Sequence, residues 1–337
     1  MIKIIKNKSL KELNTFGINV LAEQYISISK EEELQEVLRR IYASEIFILG
    51  GGSNMLLTKN IDKTVVHINL KGIEILEETD DYIDLKVAAG ENWHQFVMFC
   101  VNHDYGGLEN LSLIPGYVGT SPIQNIGAYG VELKDHFLSC RAIHRQTSDF
   151  KTFTAEDCEF GYRQSIFKNK LKDQYIITSV NFRLSKKNHK QTLDYGAIKE
   201  TLASRAISSP TIKDISDAVI TIRSSKLPNP NELGNSGSFF KNPVISAEKF
   251  KKLSEKESLR YYELPDGTFK IPAGWLIDQV GLKGYRDEDA GVHKNQALVL
   301  VNHGNATGED ILNLSKFVQS KVKERFNIEL QPEVNIF

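Results

Sequence analysis

The chain has 337 residues, 41% of them hydrophobic and 25% charged, which is the composition of a folded protein and excludes a disordered one. Lys and Arg total 42 against 43 Asp and Glu, so the net charge of −1 gives no general attraction for nucleic acid or an anionic membrane. The three cysteines form no C-x-x-C pair, and neither a disulfide framework nor a cysteine zinc site is indicated. The N-terminal apolar run is too short for a signal peptide and no stretch of 18 apolar residues occurs, so we expect a soluble cytoplasmic protein.

The first third of the chain predicts a helix, a strand and a glycine loop in succession. Apolar residues recur at helical spacing from Ser29 to Tyr42, and Ser29 with Glu32 matches a capping box. The apolar run at 46–49 is a buried-strand pattern that leads directly into the glycine run at 50–54. Consecutive backbone amides in such a run suit a phosphate or pyrophosphate. The run matches neither the dinucleotide fingerprint nor a P-loop, so a simple glycine turn is the alternative interpretation.

The middle of the chain mixes strand and helix patterns around one long segment without periodicity, 110–132. Long structured loops of this kind are usually functional. Its stretch 114–130 supplies rigid turns, unhindered amides, two side-chain amides and an aromatic ring, which suit a flavin nucleotide. An Ω-loop packed on its own side chains is the alternative. Strand patterns lie at 64–70, 82–87, 139–145, 151–154 and 176–184, with a helix pattern at 93–100.

The second half begins after the polar stretch 185–191, which is a candidate domain edge. A helix is predicted over 211–223, and it must stop before Pro228 and Pro230. Thr307 and Asp310 form a capping pattern for the last predicted helix. The apolar stripe of that helix consists of Ile311, Leu314, Val318, Val322 and Phe326.

Four further features of the sequence suit anion binding or proton transfer, and each has a simpler alternative. Arg163 lies two residues after Gly161 and could bind a carboxylate or phosphate, although most such arginines are surface cations. Arg223 and Lys226 could clamp a diphosphate, although cations at a helix C-terminus also follow from the helix dipole. The stretch 234–243 is more typical of a binding loop than of a core strand. Burial of Glu333 would raise its pKa enough for proton donation, while a solvated terminal glutamate is the alternative.

The order of these segments resembles the UDP-N-acetylenolpyruvoylglucosamine reductase (UDP-N-acetylmuramate dehydrogenase) family over nearly the whole chain. The stretches 122–130 and 237–243 are its most specific motifs. Tyr195 is similar to the tyrosine of an extra loop that one subclass folds over the uridine nucleotide. The matching segments are 50–54, 115–130, 160–163, 223–228, 237–243, 273–278, 296–299 and 332–334.

The resemblance implies an α+β fold. Its FAD-binding region would be of the vanillyl-alcohol-oxidase (PCMH) type with two subdomains, followed by a C-terminal α+β substrate-binding domain. The implied divisions are 1–70 with 327–337 returning to it, 71–188, and 189–326. A monomer is also implied.

The implied chemistry is the reduction of UDP-N-acetylglucosamine enolpyruvate by NADPH through noncovalent FAD. Ser238 would give the proton to C2, while Arg163 and Glu333 would stabilise the enolate, roles that suit their hydrogen-bond donors. No metal is implied. Tyr117 is bulkier than the family pattern leads us to expect. The implied cofactor residues are Gly50, Gly51, Gly52, Ser53, Asn54, Pro115, Gly116, Gly119, Thr120, Ser121, Gln124, Asn125, Gly127, Ala128, Tyr129 and Gly130. The implied substrate residues are Tyr129, Tyr195, Arg223, Lys226, Asn242, Tyr262 and Gln296.

Two other functions compete with this interpretation. Another FAD-dependent oxidoreductase of the same fold, such as an oxidase of small alcohols, explains the N-terminal loops but not the motifs around Ser238 and Glu333. A nucleotide-sugar sensor that has lost catalysis is disfavoured because Arg163, Ser238 and Glu333 are all present.

Overall fold

The computed structural model describes residues 2–337, which divide into two compact units. The first unit comprises the residues up to Lys8, Ala22–Gly51 and Ile61–Arg223. The second comprises Ser9–Leu21, Gly52–Asn60 and Ser224–Phe337. The chain therefore passes between the units several times. Over residues 2–337 no helix has both the length and the apolar character needed to cross a membrane.

The regular elements alternate along the chain without any long run of one type. The helices are α1 (Glu31–Arg40), α2 (Trp93–Asn102), α3 (Ile198–Ser204), α4 (Ile212–Lys226), α5 (Ala247–Ser254), α6 (Ala273–Gln279) and α7 (Gly308–Phe326). The first ten strands are β1 (Ile5–Ser9), β2 (Leu21–Ile28), β3 (Ile46–Leu49), β4 (Met55–Leu56), β5 (Ile61–Ile68), β6 (Ile73–Glu78), β7 (Tyr82–Ala88), β8 (Gly127–Ala128), β9 (Val131–Glu132) and β10 (Phe137–His144). The remaining strands are β11 (Phe150–Thr154), β12 (Tyr175–Ser185), β13 (Gly234–Ser238), β14 (Val244–Ile245), β15 (Tyr262–Glu263), β16 (Phe269–Lys270), β17 (Arg286–Asp287), β18 (Ala290–Val292), β19 (Val299–Asn302) and β20 (Asn335–Ile336).

A four-stranded sheet with the order β1-β2-β5-β3 opens the first unit. Strand β5 pairs in parallel with both β2 and β3. The apolar stripe of α1, with Leu34, Val37 and Leu38, covers one face of this sheet, which confirms the predicted amphipathic helix. The predicted capping box was wrong by one residue. The Glu33 carboxylate, and not that of Glu32, accepts the backbone N–H groups of Ser29 and Lys30, because the helix begins only at Glu31.

The larger core of the first unit lies on a five-stranded sheet with the order β11-β10-β12-β7-β6. All of its neighbouring pairs are antiparallel. Helix α2 packs its apolar side chains on this sheet and is capped by Asn92, whose side chain accepts the Gln95 N–H. The strand patterns predicted at 82–87, 139–145, 151–154 and 176–184 are confirmed by β7, β10, β11 and β12.

Helices α3 and α4 end the first unit and pack against each other through Ile198, Leu202, Val219 and Ile222. The helix predicted over 211–223 is confirmed, although it extends to Lys226.

The second unit is built around the antiparallel sheet β13-β19-β18-β17. A small antiparallel sheet, β14-β16-β15, and the parallel pair β20-β4 complete its strands. Helix α7 is capped by Thr307, whose hydroxyl and backbone N–H both donate to the Asp310 carboxylate, as the capping pattern predicts. Its predicted apolar stripe is buried.

One local prediction in the second unit was wrong. The stretch 234–243 was expected to be a binding loop, but its first half is strand β13, paired with β19. The segment contains too many small polar residues to show a strand pattern, and its pairing with β19 comes from a distant part of the chain. Only the residues after Ser238 leave the strand, so Ser238 stands at a strand end.

Candidate active site

The two glycine-rich segments predicted to bind a cofactor lie against each other in the first unit. A Cβ atom added to Gly50 would lie 2.9 Å from Cγ2 of Thr120, and one added to Gly51 would lie 2.9 Å from Cα of Gly116. The Gly116 carbonyl accepts the Trp93 N–H at 2.9 Å, which ties its loop to the start of α2. Only glycine at position 51 allows the two backbones to approach this closely. Two loops that meet without side chains between them can leave room for a ligand.

The polar side chains inside the loop 115–130 mainly hold the loop itself. Asn125 is fully buried and donates to the Glu132 carboxylate and to the Gly161 carbonyl, both at 3.0 Å. The Ser121 hydroxyl, also buried, donates to the Val118 carbonyl at 2.6 Å. Within this loop Pro115, Thr120 and Gly130 are exposed, Gln124, Gly127 and Ala128 are partly buried, and Gly119 is buried. A ligand at this loop would therefore meet mostly backbone and glycine.

Arg163 is held against the same loop. Its Nη2 donates to the Gly127 carbonyl at 2.7 Å, and its own carbonyl accepts the Lys168 ammonium at 3.1 Å. The backbone of Arg163 has a φ of 56°, a conformation that costs energy for a non-glycine residue. Strain of this kind is common at functional sites because the surrounding contacts must enforce it.

Arg163 and Arg223 form a cationic cluster with Tyr129. Burial lowers the pKa of Arg223, and the positive charge of Arg163 lowers it further. The interaction with Tyr129 acts in the opposite direction and raises the pKa of Arg223. Burial also lowers the pKa of His94, and the positive charge of Arg223 acts in the same direction. The Nε atom of Arg223 is buried and has no hydrogen-bond partner among residues 2–337. The two guanidinium groups, with the unpaired Nε of Arg223, suit an anion such as a diphosphate or carboxylate.

The loop that carries Tyr195 packs beside this cluster. A Cβ added to Gly130 would lie 3.3 Å from Cβ of Tyr195, and one added to Gly196 would lie 3.4 Å from the Tyr129 ring. The Asn110 side chain donates to the carbonyls of Tyr129 and Thr192, each at 2.8 Å, and so joins the two loops. The Tyr195 side chain itself is 60% exposed. It is thus free to contact a ligand beside Tyr129 and Arg223.

In the second unit, backbone pairing brings Ser238 and Glu333 into neighbouring segments. The Glu333 N–H donates to the Phe239 carbonyl at 2.8 Å, and Phe240 pairs with Pro332. Phe239 and Phe240 are almost completely buried, which anchors the backbone beside the exposed Ser238. Glu333 is only partly buried, which is less burial than the sequence led us to expect. The buried residue of this segment is its neighbour Val334.

Three of the predicted substrate residues, Asn242, Tyr262 and Gln296, line one cavity of the second unit. The cavity has a volume of about 770 Å³ and also contains Trp275 and Arg260 in its wall. The Asn242 side chain accepts the Ala273 N–H at 2.8 Å, which fixes it at the start of α6. A mixed aromatic, amide and cationic lining suits a polar ring with several hydrogen-bonding groups. Lys226, the last residue of α4, is exposed and does not line this cavity.

The rest of the glycine run lies in the second unit beside the chain's last strand. The Gly52 carbonyl accepts the Thr15 N–H at 3.0 Å, and the Thr15 hydroxyl lies 3.5 Å from the Ser53 carbonyl. The Asn54 carbonyl accepts the backbone and side-chain N–H groups of Asn335 at 3.3 and 2.9 Å. These bonds hold the carbonyls of Gly52, Ser53 and Asn54 in place.

Sequence reasoning missed several residues that shape these sites. Asn110 joins two loops, and Asn235, 2% exposed, accepts the Gly237 N–H at 2.9 Å and so positions the turn before Ser238. His67 lies at the end of β5, stacked on Tyr117. Lone polar residues within apolar strands or helices carry no spacing signal, so nothing in the sequence distinguishes them from ordinary core residues. Residues 2–337 contain no group of three or more His, Cys, Asp or Glu placed to hold a metal ion.

The buried His67 should make the free energy of unfolding depend on pH. Burial lowers the pKa of His67 from 6.5 to about 4, and Lys71 adds to the effect. The pKa of His67 is lower in the folded than in the unfolded protein. The contribution of His67 to stability is therefore complete above pH 6.5 and is lost as the pH falls from 6.5 towards 4. The loss attributable to His67 should reach about 3 kcal/mol below pH 4. Urea unfolding of the wild type and of His67→Gln at several pH values measures it. Identical pH slopes for both proteins would contradict the assignment.

Two family models match separate parts of the chain. The model of the UDP-N-acetylenolpyruvoylglucosamine reductase C-terminal domain matches residues 229–337, and that of an FAD-binding domain matches residues 22–148. The reductase of Flavobacterium johnsoniae is 57% identical over 335 residues, 99% of each chain. That of Amoebophilus asiaticus is 48% identical over 334 residues, 98% of each chain.

A solved structure resembles the whole chain. The crystal structure of UDP-N-acetylenolpyruvylglucosamine reductase from Thermus caldophilus covers 100% of this chain and 99% of its own, with a TM-score of 0.66 at 23% identity. At this identity the likeness concerns the fold. The predicted α+β fold class, with an FAD-binding domain, is confirmed.

Proposed function

Because the chain belongs to the UDP-N-acetylenolpyruvoylglucosamine reductase family, we propose that it reduces UDP-N-acetylenolpyruvoylglucosamine to UDP-N-acetylmuramate with FAD and NADPH. This reaction supplies a precursor of peptidoglycan. The observation that carries the proposal is the 57% identity to a reductase over 99% of both chains. The protein is proposed to act in the cytoplasm as a monomer, without a nucleic acid or membrane partner.

The described residues fit a flavin nucleotide. The close backbone approach of Gly51 to Gly116 supports a loop pair that offers amides without obstructing side chains. FAD, when bound, would take hydride from NADPH and supply it to C3 of the enolpyruvyl group. We assign its binding to the run 50–54 and to the glycines, polar residues and Tyr129 of the loop 115–130. The FAD-binding subdomains are proposed as 1–70 with 327–337 and 71–188, and the substrate domain as 189–326.

Ser238 is the proposed proton donor to C2. It stands exposed at the end of β13, where the buried Asn235 fixes the preceding turn through the Gly237 N–H. A hydroxyl donates efficiently only to a strongly basic atom, and the carbanion that develops at C2 is such an atom. Arg163 and Glu333 would stabilise the charge that spreads to the neighbouring carboxylate.

The UDP-sugar is proposed to contact Tyr129, Tyr195, Arg223 and Lys226, together with three residues of one cavity. Buried guanidinium donors such as those of Arg223 suit the diphosphate, and Tyr195 offers an exposed ring beside it. Lys226 adds a second cation at the end of α4. The remaining contacts are assigned to Asn242, Tyr262 and Gln296, which line one cavity.

FAD is expected to be bound without a covalent link. The glycine segments offer backbone amides, and no histidine of the sequence stands in an evident attachment motif. Acid precipitation should therefore release all of the flavin into the supernatant. Yellow colour that remains with the protein pellet after denaturant and proteolysis would contradict noncovalent binding.

Tyr195→Phe is expected to weaken substrate binding and to spare reduction by NADPH. The lost hydroxyl would remove one hydrogen bond to the nucleotide, so the apparent dissociation constant should rise by about 3- to 10-fold. Tyr42→Phe, at a tyrosine that is 84% exposed, is the matched control and should change nothing. Substrate titrations of both variants by flavin absorbance provide the comparison. An unchanged affinity in Tyr195→Phe would remove this loop from the site.

The reaction itself tests the proposed function. Purified protein, supplied with FAD, NADPH and the enolpyruvyl UDP-sugar, should consume one NADPH for each lactyl UDP-sugar formed. Mass spectrometry of the product should show the gain of two hydrogens. NADPH oxidation that requires oxygen and leaves the UDP-sugar unchanged would instead indicate an oxidase of the same fold.

A further inference from the structure

A buried histidine of the first unit has a hydrogen-bond donor that no described residue uses. His67, only 4% exposed, has its Nδ1 atom 2.8 Å from the Tyr25 hydroxyl. The Nε2 atom of His67 is buried and has no hydrogen-bond partner among residues 2–337. Burial raises the pKa of Tyr25 and hydrogen-bond donation from Ser27 lowers it, so Tyr25 keeps its own proton to donate to Nδ1 of His67. We therefore assign Nε2 as the N–H donor of a neutral imidazole.

The position of His67 links this donor to the glycine segments. His67 pairs with Leu49 in the parallel sheet, so it lies level with the residue that precedes Gly50. The Tyr117 ring stacks on the imidazole at 5.9 Å with an angle of 20°. A Cβ added to Gly51 would lie 3.0 Å from the same ring. Imidazole, phenol ring and glycine loop therefore form one continuous set of contacts, which we call the His67 cluster (His67, Tyr117, Gly51).

We propose that His67 is a further flavin-nucleotide-binding residue, whose Nε2–H donates to an acceptor atom of FAD while Tyr117 holds the imidazole in place. The inference rests on the proposed function, since it takes FAD as the ligand of the glycine segments. A buried donor without an acceptor is costly, and a ligand acceptor removes that cost when it binds. Two of the three residues of the His67 cluster, Gly51 and Tyr117, lie in the segments that carry the flavin resemblance, and the third stacks on Tyr117.

The charge state of His67 suits this role. Burial lowers the pKa of His67 to about 4, with Lys71 acting in the same direction, so the imidazole is neutral at neutral pH. The Lys71 ammonium lies 5.0 Å from the centroid of the Tyr117 ring on which His67 stacks. A neutral donor beside a cation favours an acceptor that is neutral or negative, as the oxygen and ring nitrogen atoms of FAD are.

The test compares two substitutions of His67 in the full chain loaded with FAD. Release of FAD on serial dilution, followed by the recovery of flavin fluorescence, gives the dissociation constant. His67→Leu, which fills the space without a donor, should raise that constant by about 10- to 100-fold. His67→Gln keeps an amide N–H near the position of Nε2 and should stay within about 3-fold of the wild type. His136→Leu, at a histidine of the same unit outside the cluster, is the control and should bind FAD normally.

A second measurement keeps the test independent of folding defects. Proton NMR of the wild-type chain should show a protected His67 Nε2–H resonance that shifts when FAD is added. Wild-type affinity in His67→Leu, equal losses in the Leu and Gln variants, or an Nε2–H resonance indifferent to FAD would each overturn the proposal. If the wild type itself bound no FAD, the proposed function would fail. If the wild type bound FAD and His67→Leu bound it equally well, only the role of His67 would fail.

Discussion

Ser238→Ala is expected to separate the two half-reactions. Reduction of the flavin by NADPH needs no proton at carbon, so its rate should stay near normal. Completion of the enolpyruvyl reduction does need one, and loss of a general acid should slow reoxidation by the substrate about 10²–10⁴-fold. Stopped-flow absorbance of the flavin in each half-reaction measures both rates.

Two further variants separate proton donation from structural support. Ser238→Cys keeps a side-chain proton that can be donated and should recover part of the rate lost in Ser238→Ala. Ser236→Ala removes a buried hydroxyl of the same strand, 3.3 Å from the Met55 carbonyl, and should affect both half-reactions alike. If Ser238→Ala slowed both half-reactions equally, or left the second unchanged, Ser238 would not be the proton donor.

Gly52→Ala is expected to be the most destabilising substitution in the glycine run. Gly52 has a φ of 59°, and a Cβ there would overlap the Leu13 carbonyl oxygen. The left-handed backbone costs about 1–2 kcal/mol for alanine, and displacement of a backbone carbonyl adds about as much again. We expect the free energy of unfolding to fall by about 3 kcal/mol or more, together with a loss of FAD binding.

Gly17→Ala is the matched control for that experiment. Gly17 has a similar φ of 65°, but nothing lies within 4 Å of an added Cβ. Gly17→Ala should therefore lose only the backbone part, about 1–2 kcal/mol. Urea unfolding of both variants isolates the steric contribution of the Leu13 carbonyl. Equal losses in the two would show that the close approach at Gly52 has no energetic weight.

Local periodicity was enough to predict much of the regular structure. The stripe of α1, the buried run of β3 and the Thr307 cap of α7 each depend on neighbours within a few residues, so they could be found in the sequence. Strand β13 could not, because Gly234–Ser238 has no strand pattern and pairs with β19 only after the chain has folded. The capping glutamate is Glu33 and not the predicted Glu32. The sequence pattern does not give the first residue of a helix to within one position.

The candidate site was predictable as a set of segments but not as a geometry. The glycine run and the loop 115–130 were identified from composition and resemblance, yet only the structure places Gly51 against Gly116 and Glu333 against Phe239. His67 and Asn110 carry no motif. Their roles come from contacts with residues distant in sequence, such as Tyr117 for His67, and a single sequence does not contain such contacts.

Flavin absorbance during one catalytic cycle tests the central claim most directly. The purified protein should be yellow, with the absorbance bands of oxidised FAD. Addition of NADPH under anaerobic conditions should bleach them, and addition of UDP-N-acetylenolpyruvoylglucosamine should then restore them as UDP-N-acetylmuramate forms. A protein that binds no flavin, or a bleached flavin that this substrate fails to reoxidise, would contradict the account.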